Sequence, residues 1–262
     1  MKPMKKITKF ILNLTSVGSI VLIATLNASL FPVVGQDIDI DLGPGPRTRT
    51  GGPRFVQPTE DIGLPTRQVK PLRGGCASSN QLSLTALVPK NKVGRTISDY
   101  PTFFFYLPQT EAQLAEFILL DQSGNQIYKQ TLTISNLSGT IGISIPANKN
   151  VSPLEVGKSY HWNFTVICNA QDRSADVWET GIVQRVQLSA DILRQLEKAD
   201  PRQKTVIYAE NGIWQDALST LAAARRANPN DAGLTADWES LLDSVTLGKI
   251  AREPIVQTEP KP

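Results

Sequence analysis

The sequence has few of the side chains on which most catalytic and metal sites depend. Its 262 residues include one histidine, His161, and two cysteines, Cys76 and Cys168. A Ser-His-Asp triad would have to use that histidine, and no Gly-x-Ser-x-Gly segment accompanies it. A zinc site needs more ligands than these, and no glycine loop has the length and lysine that a phosphate site requires. The sequence therefore predicts no catalytic residue, no metal ligand and no cofactor.

Acidic residues are absent from the first 35 positions, where lysines 2, 5, 6 and 9 precede an apolar stretch over 10–26. Gly35 is a small residue directly before Gln36, close to the pattern at which a signal peptide is cut, and a second possible cut follows Ala28. The pattern predicts a signal peptide over 1–35 and an exported protein, periplasmic or extracellular. The alternative is an uncleaved membrane anchor, although polar residues interrupt the apolar stretch.

The net charge of +3 comes largely from this N-terminal segment. Four of the 27 lysines and arginines lie within it, which leaves 23 basic residues against 24 acidic ones. Proteins that bind nucleic acid usually carry a basic excess. We therefore expect no nucleic-acid partner.

A small, even number of cysteines in an exported chain is typical of a disulfide. We therefore predict a bridge between Cys76 and Cys168, with two buried free thiols as the alternative. A bridge that closes so long a loop would stabilise the fold by roughly 4–5 kcal/mol in the chain-entropy account.

Two segments have the composition of irregular chain. Glycine, proline and arginine dominate residues 36–72, which include the runs 43–46 and 51–53. Such runs disfavour helix and sheet, so we predict a disordered linker here, with contact to an anionic surface as the alternative. Residues 251–262 contain three prolines and are predicted to be a disordered tail.

Residues 73–188 alternate between apolar and polar side chains with a period of two, which is typical of half-buried strands. Seven such runs are present: 82–88, 103–107, 115–119, 128–134, 141–145, 160–168 and 182–188. Turn residues separate them. This region is therefore predicted to be an antiparallel, immunoglobulin-like β-sandwich domain.

One local segment supports this interpretation. Residues 154–162 resemble the tyrosine corner of fibronectin type III and immunoglobulin-like domains, in which a tyrosine hydroxyl bonds to an upstream backbone group. We expect Tyr160 to do so. Cys168 lies eight residues beyond it, so the antibody-type placement of the disulfide is not reproduced.

The period changes to that of helices over 189–250, which is predicted to be a small helical domain. Ser189 and Asp200 are expected to cap two helices, and Asn211-Gly212 to end the second. Residues 208–229 resemble one tetratricopeptide-like hairpin, although only one repeat is readable. The alternative is a four-helix cap packed on the sandwich, in which Trp214 and Trp238 are core residues.

Some residues remain candidates for chemistry or binding. Asp172, Asp176 and Glu179 are expected in the loop between the last two strands, as an acid/base pair, a calcium loop or a solvated loop. His161 is expected to point away from the core. Exposed aromatic residues of the sandwich could bind a glycan; these are Tyr100, Phe104 and Trp178.

Several blocks of the sequence together resemble a known family. They are 73–76, 84–89, 101–108, 154–162, 184–186, 208–218 and 237–242. As a set they resemble the bacterial family called "domain of unknown function 928", found chiefly in cyanobacteria, over about residues 73–255. The resemblance implies an exported cyanobacterial protein. It implies no activity and no functional residues, because the family carries none.

The leading hypothesis is a non-catalytic binding or interaction module of the cell envelope, whose partner is a protein or a glycan. One alternative is a glycan-binding β-sandwich. Another is a carboxylate-dependent enzyme that acts on glycans. A membrane partner is expected only if the N-terminal segment stays uncleaved.

Overall fold

The computed structural model of the protein describes residues 51–58, 76, 83–148 and 150–257. The chain divides into two units, Met1–Arg47 and Thr48–Pro262, and every described residue belongs to the second. The predicted signal peptide and its cut between Gly35 and Gln36 lie outside the described residues. Within the described ranges, no helix has both the length and the apolar character to cross a membrane.

Nine strands in the described ranges form two sheets. Four belong to the first sheet: β1 (Thr85–Ala86), β3 (Thr102–Leu107), β6 (Gly139–Ser144) and β9 (Ile255–Val256). Five belong to the second: β2 (Val93–Thr96), β4 (Leu114–Leu120), β5 (Gln126–Thr133), β7 (Ser159–Ile167) and β8 (Val177–Arg185). The strand orders are β1-β3-β6-β9 and β2-β8-β7-β4-β5.

The alternation of apolar and polar residues in the sequence does not predict two of the strands, β2 and β9. Both pair in parallel, β2 with β8 and β9 with β6, whereas the other pairs are antiparallel. The prediction of a wholly antiparallel arrangement is therefore wrong at these two pairs. Strand β9 also lies inside the segment predicted to be a disordered tail, where the N–H of Thr140 reaches the carbonyl of Pro254 at 2.7 Å.

The two sheets share an apolar core. Phe105 of the first sheet stacks on Phe164 of the second, with ring centroids 4.3 Å apart. Phe103 of the first sheet contacts Phe117 of the second in a tilted arrangement, with ring centroids 4.9 Å apart. Along β4 every second residue is buried, as the period-two pattern predicts. Burial of these large side chains between the sheets is the main stabilising term of this region.

Strand β3 is buried on both faces. Phe103, Phe105 and Leu107 enter the core between the sheets, whereas Phe104 and Tyr106 enter a second core with the helices. A strand covered on both sides requires a continuous apolar run, which is what residues 103–107 provide. The first sheet is therefore the middle layer between the second sheet and the helices.

Four helices follow the strands. They are α1 (Ala190–Lys198), α2 (Pro201–Glu210), α3 (Trp214–Ala227) and α4 (Ala232–Asp243). The predicted caps are confirmed: Ser189 accepts the N–H of Ile192, and Asp200 forms a capping box with Gln203. Helix α2 ends before Gly212, whose φ of +72° is a backbone conformation that glycine adopts readily.

Trp214 joins the helices to the first sheet. Its side chain is fully buried, and its indole N–H donates a hydrogen bond of 2.7 Å to the carbonyl oxygen of Leu87. Trp238 is equally buried, with the guanidinium of Arg225 5.3 Å from its ring centroid. Both tryptophans are core residues, as the interpretation of the helices as a cap on the strands predicts.

The disulfide and the tyrosine corner secure the irregular parts of the β region. Cys76 and Cys168 form a disulfide with their Cα atoms 5.3 Å apart. The N–H of Glu155 donates to the hydroxyl oxygen of Tyr160 at 2.9 Å, so the hydrogen bond predicted for this tyrosine is confirmed. The Thr110 hydroxyl donates to the carbonyl of Cys76 at 2.9 Å and ties the bridged segment to the start of β4.

Replacing either half of the disulfide should destabilise the protein. For Cys76→Ser or Cys168→Ser we expect a loss of roughly 2–5 kcal/mol, because the unfolded chain is no longer cross-linked. Urea unfolding of the oxidised protein measures it. The double variant should lose no more than either single variant, and a reducing agent should affect only the wild type. An unchanged melting temperature of the reduced wild type would contradict the prediction.

The double-sided burial of β3 makes a second prediction. Phe104→Ala should lower the free energy of unfolding by roughly 3–5 kcal/mol, because it leaves a cavity between sheet and helices. The exposed Val156 provides the control, since Val156→Ala should change stability by less than about 0.5 kcal/mol. Denaturant titration of both variants checks this. Equal effects of the two substitutions would show that the helices do not cover β3.

Candidate functional site

The acidic residues predicted as an acid/base pair or calcium loop are engaged in local structure. Asp172 precedes a 3₁₀ helix (Arg173–Ala175) and accepts the N–H of Ser174 at 3.0 Å. Hydrogen bonds from the side chain and backbone of Ser174 lower the pKa of Asp172. A carboxyl group held in its charged form by a cap is a poor proton donor near neutral pH.

The other two acids have their own partners. Asp176 accepts the N–H of Cys168 at 3.0 Å and pairs with Arg173, so it holds the chain beside the disulfide. Glu179 lies in β8 rather than in the predicted loop and bonds to Lys92 at 2.7 Å. Among the described residues, no group of three or more His, Cys, Asp or Glu side chains is arranged to hold a metal ion.

The candidate binding residues of the strands differ in accessibility. His161 is exposed on β7, as predicted. Phe104 is only 3% exposed, so its proposed use as an exposed glycan platform is wrong. Tyr100 is half-buried, and its hydroxyl donates to the carbonyl of Val151 at 3.4 Å. Trp178 is half-buried within β8. The three aromatic residues do not form an open aromatic surface.

Two polar clefts of the described region are small. The first, about 80 Å³, lies where β2 and the start of β3 meet α3, and is lined by Thr96, Thr102 and Asp216 among others. The second, about 150 Å³, lies beside Asp121 and Tyr160. Sites for small molecules usually occupy about 300–1,000 Å³. These clefts therefore fit water or a single small group better than a sugar or a metabolite.

The helices hold a segment of the chain that precedes the β region. We call residues 51–58 the docking segment; they form neither helix nor strand. The segment runs from α4, across Trp214, to the end of α2. The structure differs here from the predicted disordered linker, because Pro53, Phe55 and Val56 have defined contacts with the helices.

Three hydrogen bonds fix the backbone of the docking segment. The hydroxyl of Ser240 donates to the carbonyl of Pro53 at 3.1 Å. The N–H of Phe55 donates to the hydroxyl of Ser244 at 3.0 Å. The N–H of Val56 donates to the carbonyl of Ala209 at 3.0 Å. All three involve main-chain atoms of the segment, so they select an extended conformation rather than particular side chains.

The side chains of the docking segment alternate between two environments. Pro53 is buried and Phe55 is half-buried, whereas Arg54 and Val56 are exposed. The Phe55 ring meets the Trp214 ring edge-on, with centroids 5.0 Å apart and planes at 80°. This alternation is that of an extended chain lying on a surface. Proline and phenylalanine therefore supply the selectivity of the contact.

The surface beneath the docking segment is the candidate functional site, and we call it the groove. Its residues come from three helices: Ala209 and Gly212 at the end of α2, Trp214 of α3, and Ser240 and Ser244 of α4. It combines an aromatic wall with hydroxyl and carbonyl groups. Such a surface can hold an extended peptide through its main chain.

The groove was not predicted from the sequence. The Gly-Gly-Pro run of the docking segment indicates only a linker. The helical pattern predicts that Trp214, which the segment contacts, is a core residue. One signal was present, because Phe55 is an isolated aromatic residue in a segment rich in glycine, proline and arginine. An apolar anchor in such a segment is typical of a chain that docks on another surface.

A buried carboxyl group, that of Asp216, lies in the first turn of α3. Asp216 accepts the hydroxyl of Thr96 at 2.7 Å and the N–H of Ile97 at 3.2 Å. Burial raises the pKa of Asp216 to about 6, although these hydrogen bonds favour the charged form. Its neighbour Gln215 lies against Gly94, where a Cβ atom would be 2.4 Å from the amide oxygen. A larger residue at position 94 would have to push the Gln215 amide aside, so glycine allows β2 to approach α3 closely.

Asp216 should make stability depend on pH. Its folded pKa lies above the ordinary value of 3.8, so the native state favours the protonated form. The contribution of Asp216 to stability is therefore highest at low pH and falls as pH rises through about 4 to 6, by roughly 2 kcal/mol between pH 4.5 and 7.5. Denaturant unfolding of wild type and Asp216→Asn measures it. The variant should lack this loss, and parallel pH profiles of the two proteins would contradict the prediction.

The comparisons with known proteins agree with the extent of the fold. A family model described as Domain of Unknown Function (DUF928) matches residues 65–255, which include both sheets, all four helices and the groove. The docking segment precedes the matched residues. No match was found among curated proteins. Because the model covers most of the chain, the protein belongs to the DUF928 family.

Proposed function

We propose that the protein is a non-catalytic interaction module of the cell envelope, and that its helical side binds the partner. The observation that carries the proposal is the docking segment, whose backbone is held by hydrogen bonds to α2 and to the end of α4, and whose Phe55 ring contacts Trp214 of α3. A surface that holds an extended segment in this way has the features of a peptide-binding surface.

The location in the envelope belongs to the same proposal. Two features support it: the signal-peptide pattern over residues 1–35, with its cut expected between Gly35 and Gln36, and the disulfide between Cys76 and Cys168. Disulfides persist mainly in oxidising compartments. Export would deliver the protein to such a compartment.

The finer description of the fold is also proposed. We propose that the two sheets are an immunoglobulin-like sandwich, which the Tyr160 corner supports. We further propose that α2 and α3 are a tetratricopeptide-like hairpin. Support comes from the tight turn at Gly212 and the buried small residue Ala217 on α3. Helical repeats of this kind commonly present peptide-binding surfaces.

Site-specific photo-cross-linking in the producing cells tests the proposed function. In the part of the chain that the structure describes, three large apolar residues are exposed and can carry the cross-linker: Val56 on the docking segment, Leu193 on α1 and Val156 in the β region. We expect Val56 and Leu193 to yield the same protein adduct, because both lie on the helical side. Val156 is the matched control and should yield none.

The outcomes separate the hypotheses. A protein adduct only from Val156, or no adduct from any position, would overturn the proposal. A polysaccharide adduct at Val156 would favour a glycan-binding β region instead. Recovery of the protein from the cytosol with both cysteine thiols free would contradict the envelope location.

A further inference from the structure

The docking segment is held by contacts that a separate peptide could also make. Its three hydrogen bonds use main-chain groups that every peptide has, apart from proline's missing N–H. The side chains of Pro53 and Phe55, spaced two residues apart, face the helices, and Pro58 lies against Gly212. The outward side chains of Arg54 and Val56 are exposed. Little in the contact requires that the segment belong to the same chain.

Several groups of the groove keep a partner outside the segment. The carbonyl of Ala209 also accepts the N–H of Gly212 at 3.2 Å. The hydroxyl of Ser244 donates to the carbonyl of Leu241 at 2.6 Å. Trp214 is anchored from its other side by Leu87. Among the described residues, no ion pair joins the segment to the groove. Release of the segment leaves only the Ser240 hydroxyl, whose acceptor is Pro53, to bond to water, so the cost is mainly that of exposing apolar surface.

The position of the segment in the chain supports the same view. All groove residues lie within the region matched by the family model, whereas the docking segment precedes it. Sixteen residues or more separate the segment from the disulfide at Cys76. Because this connection is covalent, the segment stays close to the groove after release, which gives it an effective concentration there.

We propose that the groove is a binding site for an extended partner peptide that carries a proline two residues before a phenylalanine, and that the docking segment occupies this site as a built-in competitor. The inference rests on the proposed interaction function and specifies the chemistry of the partner. The partner displaces residues 51–58, and its phenylalanine takes the place of Phe55 against Trp214.

The built-in competitor reduces the apparent affinity of the groove for a partner. A peptide in solution binds only to the fraction of molecules whose groove is open, so its apparent dissociation constant is the intrinsic one divided by that fraction. Weakening the docking segment should therefore strengthen binding in trans. Stronger binding by such variants is expected if the docking segment can be displaced. It is not expected if the segment is a fixed part of the fold.

The test uses the full chain and a fluorescently labelled peptide of residues 51–58. Three variants are compared with wild type. Phe55→Ala removes the anchor, and Val56→Pro removes the N–H that donates to Ala209 without changing the buried side chains. Arg54→Ala is the matched control, because Arg54 is exposed. Far-UV circular dichroism verifies that each variant is folded, and fluorescence anisotropy measures binding.

Phe55→Ala and Val56→Pro should each bind the peptide at least about tenfold more tightly than wild type, and Arg54→Ala should behave as wild type. A peptide with alanine in place of the phenylalanine should bind to none of them. Adding Ser240→Ala to Phe55→Ala should weaken binding several-fold, because the hydrogen bond to the peptide carbonyl is lost. The peptide should also raise the melting temperature of Phe55→Ala.

Two results would overturn the inference. If the folded variants bind no peptide at about 1 mM, the docking segment is a fixed structural element. If wild type forms dimers by exchanging residues 51–58 between copies, the occupant is a second copy and not a partner peptide. The proposed function has its own test, since cross-linking at Leu193 reports a partner on the helical side whether or not the groove accepts this peptide.

Discussion

The structure depends on the fact that β3 carries apolar side chains on both faces. Phe105 faces the second sheet and Phe104 faces the helices. Separation of either the second sheet or the helices from β3 would therefore expose an aromatic side chain to water. The hydrogen bond from Trp214 to the carbonyl of Leu87 joins α3 to the chain just after β1, and the N–H of Leu87 in turn donates to the carbonyl of Phe104 in β3. The described strands and helices belong to one compact unit.

The parts of the fold that the sequence predicts well are those fixed by local chemistry. The alternation in β4 and the capping box at Asp200 each depend on neighbours within a few residues. Strands β2 and β9 escape prediction because their residues are placed by distant partners. Gly94 and Thr96 are the buried positions of β2 and lie against α3, but neither is a large apolar residue of the kind that reveals a strand in the sequence. The two-residue β9 exists only through its pairing with β6.

The candidate site was largely hidden for the same reason. The composition of a Gly/Pro-rich segment indicates how stiff the segment is. It does not indicate whether a surface made of distant residues will bind it. The contact of Phe55 with Trp214 depends on the packing of the helices. Asp216 looks ordinary in the sequence because an acidic residue in the first turn of a helix is common. Its burial follows from the approach of β2. By contrast, the loss of Phe104 as a binding residue could have been inferred from the unbroken apolar run 103–107.

The last strand has a consequence for how the chain folds as it is made. Strand β9 covers the outer edge of β6, and an uncovered strand edge is a template on which another chain can add. Synthesis proceeds from the N-terminus, so β6 has an open edge until residues 255–256 emerge. In newly made chains this edge is therefore open to self-association until residues 255–256 pair with Thr140 and Ile141.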